Sequence, residues 1–471
     1  MNTLLFYGIS AGLARIFGMF CALLFCVTCS NGGSGDGLIP VGRAYSPDPN
    51  LPRPKNVILL IGDGMGYNHV VASSVYRYGS DDARPYGSFP IQLAMTTYPA
   101  GGHYRAADMW ADFDWAISGV MTDSAAAGTA MSTGSKTIVG RIGMDPSGNP
   151  LTHVIQIARL SGKATAVVTS VEIYNATPAA FTAHSLRRNS YKDISSEMIN
   201  VCGVDVIMGT GHPYYDNNGN ERLDANLNPA PDYEGFYEAD YTAVAAGLKG
   251  FTFIDSLSDF EDLADGTMTP PARLFGLARV ADCLQCRRAG TSAIPFFDPS
   301  ISTVPTLATL ALGALNLVSR NPEGFFIMIE GGGIDRMSHL NHLARTIEEM
   351  MNFEDAVTAV ITWVEANSSW EETLLIITAD HETGYLWGSG SGRPAVFNPI
   401  GTNGAGTLPD MVFYSTGHSN SLVPVYIRGY GAQQLLPYAD KTDPVRGRYL
   451  DNAELGEFLK WAVDDLDEEL P

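Results

Sequence analysis

Short apolar runs recur along the chain, each stopped by glycine or a polar cluster. "NVILLI" (Asn56–Ile61) ends at Gly62-Asp63-Gly64. "TAVVTS" (Thr165–Ser170), "DVIMGT" (Asp205–Thr210), "GFFIMIE" (Gly324–Glu330), "TLLIITA" (Thr373–Ala379) and "LVPVYI" (Leu422–Ile427) share the same form. Runs of this length without alternation predict strands buried on both faces. Between them, apolar residues fall at helical spacing in "LTHVIQIARLSG" (Leu151–Gly162), stopped by its glycine, and over roughly His342–Glu365. The alanine-rich stretch Ser124–Thr133 predicts a further helix, capped by Asp123 or Ser124. Strand–helix alternation predicts an α/β fold with a central, mostly parallel sheet flanked by helices on both faces. Two stretches rich in Gly, Asn, Asp and Pro, about 212–265 and 385–410, read as insertions at the sheet rim.

The first 29 residues break this pattern. From Leu4 to Thr28 the sole charge is Arg15, and Ile16–Thr28 is an apolar core too short to span a bilayer alone. Residues 1–29 therefore read as a signal peptide, with an uncleaved anchor as the alternative. "CVTC" (Cys26–Cys29) resembles a bacterial lipoprotein box with Cys29 as the lipidated residue. Residues 30–54 would then be a polar Gly/Pro-rich tether and 55–471 the folded domain. The expected location is exported: periplasmic, membrane-anchored through the lipid, or extracellular. In an exported chain the pair Cys283 and Cys286 suits a local disulfide, with free thiols as the alternative. The formal charge of −22 argues against a nucleic-acid-binding surface.

The candidate chemistry lies in the polar residues at the strand ends. Asp63 comes just after the first run, and Asn175 and Thr177 come a few residues after "TAVVTS". Glu330 ends another run, with Asp335 and His339 just beyond. Asp380-His381 ends a fourth, and His418 precedes "LVPVYI". Ligands of open α/β sheets bind outside the carboxyl ends of strands, so residues far apart in sequence can meet there. Carboxylates and imidazoles without cysteine suit divalent metals such as zinc, with a harder ion at an all-oxygen site. Asp335 and His339, four apart, share a face if helical. Each alone is also an ordinary cap, turn or packed residue; recurrence at strand ends is the argument. Ser124 beside Asp123 looks like a nucleophile but has no base in its own segment.

"NVILLIGDGMG", "TDSAAAGTAMSTG", "NATPAAFTAH" with Arg188, "EGGGIDRMSH", "ADHETG" and His418 together resemble the alkaline phosphatase family, in order as well as in motif, over about 55 to 430. The resemblance implies two zinc ions and one magnesium around a phosphorylated serine, Ser124. It implies that Asp335, His339 and His418 hold one zinc, and Asp63, Asp380 and His381 the other. Asp63, Thr177 and Glu330 would face the magnesium, and Arg188, rather than Arg187, would clamp the phosphoryl group. The implied activity is hydrolysis of phosphate monoesters to an alcohol and inorganic phosphate, with a homodimer as the usual assembly. The segment departs from the family pattern at Asn175, where aspartate or histidine is common, which weakens the charge facing magnesium. Arg336 is expected either to reach phosphate or to sit on the surface, and Asp123 to position the helix or Arg188. His342 is expected on a helix surface rather than as a further ligand. The alternatives are a related metal-dependent phosphodiesterase, sulfatase or phosphomutase, or an exported binding protein without turnover. A serine hydrolase leaves the carboxylates without a role, and Ser124 lacks the G-x-S-x-G elbow.

Overall fold

The central strand, β1 (Asn56–Gly62), is buried along its whole length, and Val57–Ile61 have no solvent exposure. The computed structural model describes residues 51–81 and 83–465. The signal-like segment with Cys29, and residues 30–50 of the tether, lie outside the described residues. Ten further strands build on β1: β2 (Ile91–Thr96), β3 (Ala164–Glu172), β4 (Val206–Thr210), β5 (Thr252–Ile254), β6 (Leu274–Leu277), β7 (Phe325–Gly331), β8 (Thr373–Thr378), β9 (Val423–Gly429), β10 (Lys441–Asp443) and β11 (Gly447–Asp451). Their order is β10-β11-β2-β9-β8-β1-β7-β3-β4-β6-β5. From β8 through β5 every pairing is parallel. β9 runs antiparallel between β8 and β2. The chain leaves β8 at its carboxyl end and re-enters β9 at that same end, so residues 379–422 all stay on one side of the sheet.

Helices cover both faces. α1 (Tyr67–Tyr78), α2 (Ser124–Thr133), α3 (Ala176–Ala180), α4 (Leu307–Val318), α5 (Gly333–His339), α6 (Leu343–Asn367) and α7 (Asn452–Val463) are the main ones near the site. α4 and α6 pack together, α6 also meets α1, and this group rests on β1, β3 and β7. α2 packs on α3 and α7, and that second group touches the same three strands. The mostly parallel sheet and two helical layers are those the apolar pattern predicts. The polar stretch 212–265 contributes more than a rim: it supplies edge strand β5 between helices Glu238–Ala245 and Leu257–Ala264. Strands β2, β6, β10 and β11 were not legible as runs, being short or broken by polar residues. The CxxC pair is bonded, Cys283 to Cys286, and Cys283 bridges to Val171 in β3.

The glycine run after Glu330 is dictated by packing. A Cβ on Gly331 would stand 2.7 Å from the Phe353 ring, one on Gly332 2.6 Å from Val171, and one on Gly333 2.2 Å from the Glu349 carboxylate. Three different neighbours press on three successive residues, which lets α5 start directly above β7.

Candidate metal and phosphoryl-transfer site

Register brings the strand ends together. Ile61 of β1 lies opposite Glu330 of β7 and Thr378 of β8, and Thr169 of β3 lies opposite Glu330. Asp63, Glu330 and Asp380 therefore emerge side by side, all buried. Gly64 completes the turn: its N–H donates to Asp380 Oδ1 at 3.1 Å. Its φ of +76° and an Asp335 Cα only 2.8 Å from any added Cβ leave no room for a side chain.

Hydrogen bonds fix the tautomers of three histidines. His339 Nδ1 donates to the Thr416 carbonyl at 2.6 Å, and His418 Nδ1 to the Thr122 carbonyl at 2.7 Å. In the neutral ring each Nε2 then carries a lone pair. These lone pairs face each other at 3.0 Å and lie 3.3 and 3.4 Å from Asp335 Oδ1. Thr383 Oγ1 donates to Asp335 Oδ1 at 2.5 Å, so its own lone pair accepts from His381 Nδ1 at 3.2 Å. His381 Nε2 is left as an acceptor 3.3 Å from Asp380 Oδ2, 3.5 Å from Asp63 Oδ1 and 3.2 Å from Ser124 Oγ. Acceptors facing acceptors at these distances repel unless a proton or a metal cation sits among them, and, against the cost of burial, Asp335 raises His418 to about 9 where only a proton does. Two clusters of potential ligand atoms result, Asp63 with Asp380 and His381, and Asp335 with His381 and His418, with His339 beside the second.

The protein leaves matching atoms unpaired. Asp63 Oδ1, Asp380 Oδ2, Glu330 Oε1 and Thr177 Oγ1 are buried without a hydrogen-bond partner, although buried polar groups are nearly always satisfied. Burial, reinforced by Asp380 and Asp335, pushes the Asp63 carboxyl well above its ordinary range. Burial likewise raises Glu330 to about 7 and Asp380 to about 6. At Asp335 burial is outweighed by His418, His381 and His339, which hold it low. A bound cation would invert the cost at the raised carboxylates.

Ser124 is the first residue of α2, and Asp123 is the cap, accepting from Ala126 N at 3.0 Å. The same carboxylate accepts from Gly140 N and, at 2.9 Å, from Arg188 Nη1. Arg188 and Ser124 line an open cleft of about 280 Å³ with Met121, Thr122, Asp335, His339 and His418. Arg187 is exposed to solvent. Asn175 caps α3: its Oδ1 accepts from Ala176 N at 2.7 Å, and its Nδ2 donates to Glu172 Oε2 at 3.1 Å. Arg336 pairs with the same Glu172 carboxylate and donates to the Asp282 carbonyl. It is thus neither a surface arginine nor one aimed at the cleft. His342 caps α6, accepting from Arg345 N at 3.3 Å. Sequence reasoning missed Thr383 and Glu172. The "ADHETG" motif contained Thr383, but only the tautomer chain shows what its hydroxyl does.

The alkaline phosphatase family profile matches residues 54–412. Alkaline phosphatase 3 of Bacillus subtilis is 30% identical over 389 residues, covering 80% of this chain and 71% of that protein. The alkaline phosphatase of Escherichia fergusonii is 28% identical over 418 residues, covering 83% of this chain and 84% of its own. Among solved structures, the alkaline phosphatase of the Antarctic bacterium TAB5 superposes with a TM-score of 0.61 at 25% identity, over 89% of this chain and 100% of that one. With a profile spanning most of its length and a fold shared along nearly all of it, the chain belongs to the alkaline phosphatase family of phosphate monoester hydrolases.

Proposed function

We propose that hydrolysis proceeds through a phosphoserine at Ser124, with two zinc ions and one magnesium held by the strand-end residues. The observation that carries this reading is the convergence of three imidazole lone pairs and buried, unpaired carboxylate oxygens beside Ser124 Oγ. Asp335, His339 and His418 would hold one zinc, and Asp63, Asp380 and His381 the other. The unpaired atoms of Asp63, Thr177 and Glu330 suit the harder magnesium. A structure of a TAB5 alkaline phosphatase variant, 25% identical to this chain, is described with magnesium bound in its M3 site. When bound, such metals supply charge stabilisation for the attacking and leaving oxygens of an in-line displacement.

The chain's own residues do the rest. Ser124 Oγ displaces the alcohol from phosphorus, and water then displaces Ser124 Oγ. His381 Nε2, an acceptor facing the Asp63 and Asp380 carboxylates, would serve as a ligand rather than as the base. The N-terminus of α2 favours a phosphoryl group at Ser124. Asp123 holds Arg188 by one nitrogen, leaving its other N–H groups for two phosphoryl oxygens. Arg336, neutralised by Glu172, holds the α3 cap rather than phosphate. Export belongs to the same proposal, supported by the signal-like segment 1–29 and the Cys283–Cys286 disulfide, as does a lipid anchor at Cys29. Among the described residues no helix is long and apolar enough to cross a membrane.

Ser124→Ala tests the nucleophile. Acid-quenched enzyme incubated with labelled monoester is expected to carry label on Ser124, and the variant to carry none while keeping its metal content. Label retained in the variant, or metal lost with the hydroxyl, contradicts the assignment.

A further inference from the structure

A second cavity, of about 290 Å³, lies on the α4–α6 side of the sheet. Its volume is near the lower end of small-molecule sites, about 300 Å³. Leu284, Val304, Leu307 and Phe353 give it buried apolar walls, and exposed Glu261 and Ser300 stand at its mouth. Glu349 of α6 lines it and is itself only 5% exposed. Its Oε1 is buried without any hydrogen-bond partner among the described residues. The other buried charges of the wall, Arg288 and Glu348, are already engaged. Glu348 Oε2 accepts from Arg288 Nη2 at 2.6 Å, and Glu348 Oε1 accepts from Phe296 N at 2.7 Å. The guanidinium groups of Arg288, Arg345 and Arg336 act on Glu349 only at a distance, and Glu348 opposes them.

We infer that this cavity binds a small organic cation, a primary amine whose ammonium pairs with Glu349 and whose hydrocarbon part lies against Leu284, Val304, Leu307 and Phe353. The ligand class is set by the lining. A carboxylate with an unpaired oxygen, in a wall of mixed character that also holds Leu284, Val304, Leu307 and Phe353, suits a donor that is charged at one end and apolar at the other. A divalent metal ion fits poorly, because it needs about six oxygen ligands or more, and among the described residues of the wall Glu349 supplies the one buried carboxylate oxygen without a partner. The site is separate from the Ser124 cleft, so its occupancy can be read without turnover. Gly331 is also in its wall; that places it directly behind Glu330.

The test is calorimetric titration of the full, metal-loaded protein with 2-phenylethylamine, with its neutral counterpart 2-phenylethanol as control, well above pH 7, where a Glu349 titrating at about 7 is ionised. Saturable binding of the amine, at least about tenfold tighter than the alcohol, is expected. Glu349→Gln should lose about that tenfold while leaving basal activity unchanged. Val304→Phe, which fills the pocket and keeps the carboxylate, should abolish binding and gives a second reading if the Gln variant does not fold. Equal binding of amine and alcohol, undiminished binding in Glu349→Gln, or no saturable binding would overturn the inference. So would displacement of the amine by magnesium or calcium chloride at matched ionic strength, since that marks an inorganic cation site.

Discussion

At the scale of single residues, Thr383 decides which nitrogen of His381 faces Ser124. Its hydroxyl gives its hydrogen to Asp335 and its lone pair to His381 Nδ1, tying the two ligand clusters together. Thr383→Val is expected to weaken zinc retention by about 10- to 100-fold in a chelator competition, and Thr383→Ser to restore it. Unchanged retention in the valine variant would remove Thr383 from the metal site. Glu349 gives a separate, pH-dependent expectation. Burial, with Glu348 next, raises its carboxyl to about 7, against about 4.3 in an unfolded chain. A raised carboxyl binds its proton more tightly in the folded state. Stability is therefore fully present below about pH 4.3 and falls as pH rises to about 7. Glu349→Gln should match the wild type in urea midpoint at the acid end of that window and exceed it above pH 7. A difference that does not vary with pH would contradict this.

At the scale of elements, α2 and the turn after β7 bear the strongest demands. Asp123 caps α2 and anchors Arg188, and the two roles separate by substitution. Asparagine caps as well as aspartate, so Asp123→Asn should keep the melting temperature. It removes the charge that orients Arg188, and should weaken phosphate inhibition and raise KM by about five- to tenfold. Gly333→Ala places a methyl against Glu349 and should cost about 1–3 kcal/mol in urea unfolding. Much of this level was legible in the chain. Buried parallel strands read as continuous apolar runs, so β1, β3, β4, β7 and β8 and the polar residues beyond them could be found. β5 was hidden because its Thr-Phe-Ile is too short to rise above the polar stretch around it. The ligand residues could be found because strand ends converge. The positions of Arg336 and Asn175 could not, because both are fixed by Glu172, which looks like an ordinary surface acid in the sequence.

At the scale of the whole molecule, a chain with a formal charge of −22 must admit anionic esters. Surface repulsion slows encounter most at low salt, and screening shortens its reach to about 10 Å at 0.1 M. At sub-saturating substrate, kcat/KM is expected to rise between about 0.01 and 0.1 M salt; a rate highest at the lowest salt would show that local cations dominate capture. The return of β9 beside β8 explains why His418 joins residues from β1, β7 and β8, since the excursion 379–422 begins and ends on one side of the sheet. The central claim is that Ser124 needs no base of its own because cations stand among His381, His418, His339 and the strand-end carboxylates. Anomalous diffraction at the zinc edge, from crystals soaked in zinc, magnesium and phosphate, tests it most directly. The account predicts one zinc peak among Asp63, Asp380 and His381 within bonding reach of Ser124 Oγ, and a second among Asp335, His339 and His418, with phosphate on Arg188. Phosphate bound at Ser124 with no anomalous peak beside His381 would contradict it.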